Sequence, residues 1–309
     1  KISIVPVIGG KPPRAVAELG LIGDVADGIA IAKAMRMIKR RGDGYDATTL
    51  QASGAAGFDI SARFPVRPRV TPDEIDFKVE ARVTGGVFEM LPFGANAREA
   101  DVVIIAERNK LAVTGAGQLF GLPSDFRYQS QRDADGGTAR LNLTTSGPID
   151  VLRTRAIGLG VGDLGGVHMA DIEMTGNADL ALTAAFPTGR RLLPGDIDLA
   201  VEMVISNGRF GNLPVIGNVE SAELVANFDA AGGSLSGSAQ FLDIQSDFLV
   251  SFDTGANRLS MRLSAQQSAE LAGFLASRTG LDISGKMGGS IDLESDMQQR
   301  NIQILVGID

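Results

Sequence analysis

Few residues in this chain have the types and spacing that catalysis or cofactor binding requires. Gly160–Gly165 reads G-x-G-x-x-G, a spacing that lets a backbone loop approach the pyrophosphate of a dinucleotide. That motif needs a strand before it and a helix after it, whereas here a predicted helix precedes it and Gly166 and a β segment follow it. We therefore interpret it as a loop, and we predict no nucleotide cofactor.

Metal sites and nucleophiles are equally poorly supported. His168 is the only histidine, so multi-histidine metal sites are excluded and at most a lone general base beside Asp163 or Asp171 remains. We interpret it as a surface loop residue. Asp133 and Asp135 faintly resemble part of a calcium loop, but the bidentate Glu at its far end is missing and a hairpin turn explains them.

The absence of Cys removes disulfides, thiolate metal ligands and Cys nucleophiles, and it is compatible with either a reducing or an oxidising compartment. No pair of polar residues of catalytic type recurs in an otherwise apolar segment. We therefore predict that the chain is not an enzyme, that it holds no metal and that it needs no cofactor.

The net charge of −8 argues against nucleic acid as a partner, because neutralising phosphates requires a basic face. One basic cluster stands out, at the end of a predicted helix. We interpret it as cations placed favourably at a helix C-terminus, with contact to anionic lipid headgroups as the alternative. Its members are Lys33, Arg36, Lys39, Arg40 and Arg41.

The sequence contains no apolar run of 18 residues or more, which is the length that a membrane-spanning helix needs, and no segment resembles a signal peptide. The chain begins at Lys1 rather than Met. We expect it to be a piece of a longer protein, in which any export signal or membrane anchor lies outside this chain.

The elements that would position any site are repeated. Gly54 to Leu141 can be laid on Gly176 to Leu263, 122 positions later, without a gap, and 26 of the 88 pairs are identical. The shared segments include Phe64-Pro65 with Phe186-Pro187, and Ser124–Phe126 with Ser246–Phe248. Duplication with a period this long predicts an elongated array in which each unit buries its apolar face partly against its neighbours.

Alternation with a period of two dominates both repeats. From Ile75 to Val83 every second residue is apolar, and five charged residues from Glu74 to Arg82 take the positions between them. Such a pattern is typical of an antiparallel sheet with one face exposed to solvent and the other face apolar. With turn residues such as Gly85-Gly86 and Gly232-Gly233 between the segments, each repeat predicts about six antiparallel strands.

Predicted helices are few and short. They cover Arg14 to Ile22 and Val25 to Arg40 as a helical hairpin, Ile149 to Ile157, and Ser268 to Arg278. Met287–Leu293 echoes Met174–Leu180, as though a third unit began there. The predicted organisation is an N-terminal helical hairpin region over 1–53, a first β repeat over 54–145, a helix and loop connector over 146–175, a second β repeat over 176–267, and a helix with the start of a third unit over 268–309.

A one-sided sheet of this size must have its apolar face covered. The sheet could fold onto itself as a sandwich or be covered by the short helices. Alternatively, a sheet curled lengthwise into a trough would leave an apolar channel able to hold acyl chains. On the second hypothesis the lining residues are Ile75, Phe77, Val79, Val83, Val102, Ile104, Ile197, Leu199, Val201, Met203, Leu224, Phe228, Phe248 and Val250.

The order of these features resembles a known family. An alternating strand ending Phe-Pro, a Pro72–Asp76 turn, a second alternating strand and a Phe88–Pro92 turn, repeated at Pro194–Asp198 and Phe210–Pro214, are similar to the AsmA-like proteins of Gram-negative bacteria, most of all their YhdP branch and more distantly TamB. The resemblance covers most of the chain from Gly54 onward and carries no catalytic motif. It implies a long periplasmic β-sheet curled into a groove, anchored at the inner membrane by a helix outside this chain.

The resulting expectation is a mainly β protein, an elongated curled antiparallel sheet forming a groove-like repeat array with a few short helices. The resemblance implies that it binds phospholipid acyl chains and takes part in moving phospholipid between the inner and outer membranes. The alternative is a structural β-scaffold that acts in envelope assembly through protein contacts.

Overall fold

The computed structural model describes residues 2–5, 13–34, 49–71, 74–89, 91, 95–132, 136–158, 163–164, 167–188, 196–213, 217–229, 231–241, 244–253, 258–268, 287–296 and 301–308. The elements up to the end of the first repeat are β1 (Ile2–Val5), β2 (Arg14–Asp24), α1 (Val25–Ala34), β3 (Gln51–Pro65), β4 (Asp76–Glu89), β5 (Ala97–Glu107), β6 (Lys110–Leu119), β7 (Leu122–Arg132) and β8 (Gly137–Pro148).

The remaining elements repeat this order after a short insertion. They are α2 (Ile149–Gly158), β9 (Asp163–Leu164), β10 (Val167–His168), a 3₁₀ turn (Met169–Asp171), β11 (Glu173–Thr188), β12 (Asp198–Leu213), β13 (Gly217–Asp229), β14 (Gly232–Phe241), β15 (Ile244–Asp253), β16 (Arg258–Ser268), β17 (Met287–Asp296) and β18 (Asn301–Ile308). In space the chain divides into two compact units, one formed by residues 1–144 and 183–198 and the other by residues 145–182 and 199–309.

In each unit the strands form an open, curled antiparallel sheet in which chain neighbours are sheet neighbours. β1 to β8 follow one another in the first, and β12 to β18 do so in the second. β9 and β10 form a separate two-stranded pair. The prediction of a mainly β fold, with a curled antiparallel sheet and few short helices, is confirmed.

The predicted helix over Arg14 to Ile22 is wrong, because this segment lies in strand β2. The backbone of β2 pairs with β1 on one side and with β3 on the other, placing Leu19 opposite Ile60 and Leu21 opposite Phe58. Pairing with β3 along the whole strand, and with β1 over Arg14 to Ala17, satisfies much of the backbone, and the alternating apolar residues lie on the same face as their neighbours. The helix propensity of so short a segment is too weak to outweigh the stabilisation from strand pairing.

Three of the other predicted elements lie at least partly within the described residues. α1 begins at Val25 as predicted, and residues 35–48 lie outside the described part. α2 confirms the helix predicted from Ile149. Met287–Asp296, where the sequence predicted the start of a third unit, forms β17, which pairs with both β16 and β18. The helix predicted over Ser268 to Arg278 lies outside the described residues except for Ser268, the last residue of β16.

The two repeats share their strand register residue for residue. In β4 and β5, Val83 is opposite Val102, and 122 positions later Ile205 is opposite Leu224. The irregular steps that follow are also shared, since Gly86 opposite Ala100 becomes Gly208 opposite Ala222. A one-residue slip would move every side chain to the other face, so a conserved register means a conserved division into faces.

These irregular steps are β-bulges with a repeated hydrogen bond. Gly85 has a φ of 60°, and its N–H donates to Asp101 Oδ1 at 2.9 Å. At the equivalent place Asn207 has a φ of 52°, and its N–H donates to Glu223 Oε1 at 2.8 Å. Because a bulge increases local twist and bends its strand, a bulge held by a carboxylate at the same position in each unit contributes to the curl of the sheet.

Gly54, which faces this bulge, is expected to resist substitution. Its φ is +132°, and an added Cβ would lie 2.9 Å from Gly86 Cα. We expect Gly54→Ala to lower the free energy of unfolding by about 1–3 kcal/mol, through backbone strain and this close approach. Urea unfolding followed by circular dichroism measures the change.

Gly57 in the same strand is the matched control, because no atom lies within 4 Å of its added Cβ. Gly57→Ala should change the free energy of unfolding by no more than about 0.5 kcal/mol. Equal losses in the two variants would contradict the assigned role of Gly54.

Candidate functional site

Each unit has an inward face and an outward face, defined by alternation along the strands. In β4, Val83 is 2% exposed and Ala81 is 5% exposed, while the intervening Arg82 is exposed. The inward rows of the first unit are Ala56, Phe58, Ile60, Ala62 and Phe64 in β3; Phe77, Val79, Ala81 and Val83 in β4; Val102, Ile104 and Ala106 in β5; Leu111, Val113, Gly115, Gly117 and Leu119 in β6; and Leu122, Ser124, Phe126, Tyr128, Ser130 and Arg132 in β7.

In the second unit the described inward side chains are similar. They are Leu199, Val201, Met203 and Ile205 in β12; Leu224, Ala226 and Phe228 in β13; Leu235 and Ala239 in β14, with Gly233 before them and Gly237 between them; and Ser246 and Val250 in β15. Among the inward side chains named here for the two units, the only charged one is Arg132, at the last position of β7. The inward face is therefore mostly apolar across the interior of each unit, with a few hydroxyl groups.

One end of these rows is a packed core. In the first unit the buried residues Val25, Ala56, Val83, Phe88 and Val102 belong to one hydrophobic cluster, which also contains Ala97 and Ala100. Helix α1 contributes Val25 and Ile29 to this packing. Gly28 lies so close to the ring of Phe58 that an added Cβ would overlap it. The described part of the helix therefore covers the inward face at this end.

Asp24 holds α1 onto the sheet. Its Oδ1 accepts a hydrogen bond from the Ala26 N–H at 2.8 Å, and its Oδ2 accepts one from the Gly54 N–H at 3.1 Å. These two backbone bonds, that from Ala26 first, lower the pKa of the Asp24 carboxyl. An ionised carboxylate at this position is a favourable helix N-cap, and here it also fixes the start of the helix to β3.

The second unit buries the same positions. Ala178, Ile205, Phe210, Val219, Ala222 and Leu224 are buried, and each lies 122 positions after a member of the first cluster. Ile149, the first residue of α2, is 3% exposed, as Val25 is at the start of α1. In the described residues each copy of the repeat therefore contains a strand, a short helix and five further strands in that order, with the helix at the packed end and with β9 and β10 inserted in the second copy.

The other end of the rows is apolar but incompletely covered. Ile60, Phe77, Val79 and Leu111 lie on the inward face of the first unit and are only half-buried. In the second unit Val201, Met203 and Phe228 are half-buried, and Leu199 is 38% exposed. Fully burying one such side chain is worth about 1.5–3 kcal/mol, so this part of the face favours an apolar occupant.

The predicted lining residues divide between these two environments. Val83, Val102 and Leu224 lie in the packed end and are 2–4% exposed, so the structure assigns them to the core rather than to an accessible face. Phe77, Val79, Ile104, Val201, Met203, Phe228 and Val250 are inward and half-buried, Leu199 is inward and more exposed, and Ile75 and Ile197 are half-buried just before β4 and β12. Phe248 lies in β15, but its side chain is outside the described part.

The loop that leads into β4 is held by Glu74. Its carboxylate pairs with the guanidinium of Arg67, and Oε2 accepts hydrogen bonds from the Thr71 N–H at 3.0 Å and from Thr71 Oγ1 at 3.1 Å. These contacts, Arg67 first, lower the pKa of Glu74 to about 2. Glu74 therefore stays ionised down to strongly acidic pH and keeps this loop fixed beside the open end of the inward face.

Sequence reasoning missed two sets of inward residues. Leu19 and Leu21 in β2 are 52% and 39% exposed on the inward face. The signal was present, because Ala17, Leu19 and Leu21 align with Ala139, Leu141 and Leu143 at the same 122-residue offset. The second set is Tyr128, Ser130 and Arg132, which form the polar end of the inward row of β7. Sequence reasoning did not distinguish them from the apolar lining residues.

In the described part of the chain, the residues of the motifs considered in the sequence analysis do not form a site. Of the glycine-rich motif, Asp163 and Leu164 form the short strand β9, where Asp163 is opposite His168 in β10. Asp133 and Asp135 lie outside the described residues, as do the predicted cations from Arg36 onward. Among the residues described, no group of three His, Asp or Glu is placed to hold a metal ion. No described helix is long and apolar enough to cross a membrane.

The candidate site is therefore the open end of the inward face in each unit, a partly exposed apolar surface on which Arg132 is the one charged side chain among the inward residues named above. A comparison of the chain with protein-family models, with curated proteins and with solved structures finds no match, so the site is defined by the chain's own geometry.

Proposed function

We propose that the inward face of this chain binds phospholipid acyl chains without catalysis, as the groove of a bridge-like lipid transfer protein. The observation that carries the proposal is the state of the inward rows outside the packed core. Apart from the polar end of the β7 row, at Tyr128, Ser130 and Arg132, they are apolar and uncharged, and residues such as Val79, Val201 and Phe228 are only half-buried. A protein core would pack such side chains at close to crystal density.

An acyl chain suits this surface better than a polar ligand does. The backbone donors and acceptors of the strands are used in the sheet ladders, so the face offers dispersion contacts and few free hydrogen bonds. A hydrocarbon chain needs no polar partner. The outward rows, which include Lys78, Glu80 and Arg82 in β4, keep the other face in water.

The proposed cellular location and transport role rest on the resemblance to AsmA-like proteins. On that basis the full-length protein is periplasmic and anchored in the inner membrane by a segment outside this chain, and it moves phospholipid between the inner and outer membranes. The alternative is a scaffold for envelope assembly, in which the inward face is covered by protein.

Site-specific photo-crosslinking tests the proposal. A photoreactive amino acid at inward Val79, Leu199 or Phe228 should capture phospholipid in cells, detected by mass spectrometry of the purified protein. The matched controls are the outward neighbours Glu80 and Glu202, which should capture little lipid. Equal capture at inward and outward positions would reject acyl-chain binding. Capture of protein alone at the inward positions would favour the scaffold.

A further inference from the structure

The inward row of β7 changes from apolar to polar along its length. It begins with the buried Leu122 and Ser124, continues through the half-buried Phe126, Tyr128 and Ser130, and ends at the exposed Arg132. Successive members of such a row lie about 7 Å apart, so the polar part spans roughly 14 Å. Arg132 is thus at the strand end, away from the packed core and at the edge of the open apolar surface.

The apolar rows lie directly beside this polar end. Ser130 is opposite Leu111 in β6, and Tyr128 is opposite Val113. Leu111 in turn is opposite Ala106, which is opposite Val79 in β4. A ligand with a polar group at Arg132 therefore has an uninterrupted apolar surface next to it.

The backbone at Arg132 is fixed by a hydrogen bond, and a glycine lies beside it. The Arg132 N–H donates to Asn109 O at 2.8 Å, which fixes the end of β7 to the neighbouring hairpin. Gly137, the first residue of β8, lies between this strand end and Thr188. An added Cβ there would overlap Thr188 Oγ1 and would lie 2.9 Å from Gln131 O. A glycine at this position keeps the space between Arg132 and the Thr188 hydroxyl free of a side chain.

The polar end is specific to the first repeat. The residues 122 positions after Tyr128, Ser130 and Arg132 are Val250, Phe252 and Thr254. A feature of the fold alone would recur in both copies, as the bulges and the buried core positions do. The polar row therefore belongs to the first unit and is not a requirement of the shared fold.

The chemistry matches a phosphodiester next to hydrocarbon. A guanidinium donates two parallel N–H bonds to phosphate oxygens, and hydroxyl groups add further donors. Arg132 forms no ion pair with another residue of the described part. Outward Lys110, in the strand beside it, adds positive charge near the same end, with Glu107 opposite it.

We propose that Arg132, with the hydroxyls of Ser130, Tyr128 and Thr188, binds the phosphate of a phospholipid headgroup whose acyl chains lie on the inward rows of the first unit. This inference rests on the proposed function and deepens it, because it assigns the headgroup end of the lipid. It makes the first unit selective for lipids that carry a phosphate.

This assignment is tested by measuring the binding of two fluorescent lipids with identical acyl chains. One is a phosphatidylglycerol, and the other is a diacylglycerol, which has no phosphate. The wild-type chain should bind phosphatidylglycerol more tightly. Arg132→Gln should weaken its binding about tenfold, leave diacylglycerol binding unchanged, and be partly rescued by Arg132→Lys. Arg127→Gln, an outward change in the same strand, should alter neither affinity.

The outcomes separate the two proposals. If both lipids bind equally and Arg132→Gln has no effect, the headgroup site is rejected while acyl-chain binding stands. If neither lipid binds the wild-type chain, the proposed function fails, and the headgroup site fails with it. Displacement of phosphatidylglycerol by millimolar inorganic phosphate would assign the site to the free anion and overturn its assignment to a lipid headgroup.

Discussion

Replacing Val79 or Val201 with Asp is expected to reduce phospholipid binding at least tenfold while the protein stays folded. Both residues are inward and half-buried, so a carboxylate there can reach water when the face is empty. An acyl chain lying over it would bury an unpaired charge, which costs several kcal/mol, and about 1.4 kcal/mol corresponds to a tenfold change in affinity. Fluorescent phospholipid binding measures the loss, and circular dichroism confirms the fold.

The control for this change is Glu202→Lys, which alters charge on the outward face next to Val201. It should leave lipid binding within about twofold of wild type. Normal binding by Val79→Asp and Val201→Asp, with the fold intact, would reject the acyl-chain groove and leave the scaffold function in its place. In the full-length protein the same inward changes should abolish envelope function.

The second large effect is a loss of stability, expected when Asp replaces an inward residue four positions further along β4 or β12. Val83→Asp and Ile205→Asp place a carboxylate where the native side chains are 2% exposed, inside the packed end of each unit. Because no charged partner is present among the inward residues described there, we expect a loss of about 4 kcal/mol or more in the free energy of unfolding. Urea unfolding measures this loss, and aggregation on expression would have the same meaning.

Comparison of the two pairs separates a groove from a closed sandwich. Val79 and Val83 lie on the same row of β4, as Val201 and Ile205 do in β12. In a sandwich all four positions would belong to one core, and all four aspartates would unfold the protein. Here only Val83→Asp and Ile205→Asp should do so. Unfolding by Val79→Asp to the same degree would contradict the division into a packed end and an open end.

The repeat also makes the two units internal controls for each other. Val83 and Ile205 occupy the same register position and are buried to the same degree, so their variants should lose similar stability. Arg132 has no such counterpart, since Thr254 stands at the equivalent position. A change there should affect lipid binding by the first unit alone.

Much of the fold follows from local patterns in the sequence. The period of two between Ile75 and Val83 assigns each residue to a face, because successive side chains of a strand point in opposite directions. The gapless 122-residue offset carries that assignment from one copy to the other, and the shared register confirms it. The inward and outward sides of β4 and β12 could therefore be predicted without a structure.

The identity of β2 was decided by distant pairing. Its segment is short, and its spacing by itself favoured a helix, but its backbone pairs along its whole length with β3, which follows in the chain only after α1, and over Arg14 to Ala17 with β1. Local propensity is weak compared with a ladder of hydrogen bonds formed along the whole strand. Only the alignment of Ala17, Leu19 and Leu21 with Ala139, Leu141 and Leu143 carried a sequence signal for it.

Alternation by itself determined which side of each strand is apolar, because that property depends only on the two-residue period. It could not distinguish Val79 from Val83, since both follow the same rule four residues apart. The tertiary structure decided that difference, through the packing of α1 on Phe58 and through the bulge that joins Gly85 to Asp101 at one end of the rows. Burial depends on which distant elements lie over a residue, and that information is not present in the pattern of a single strand.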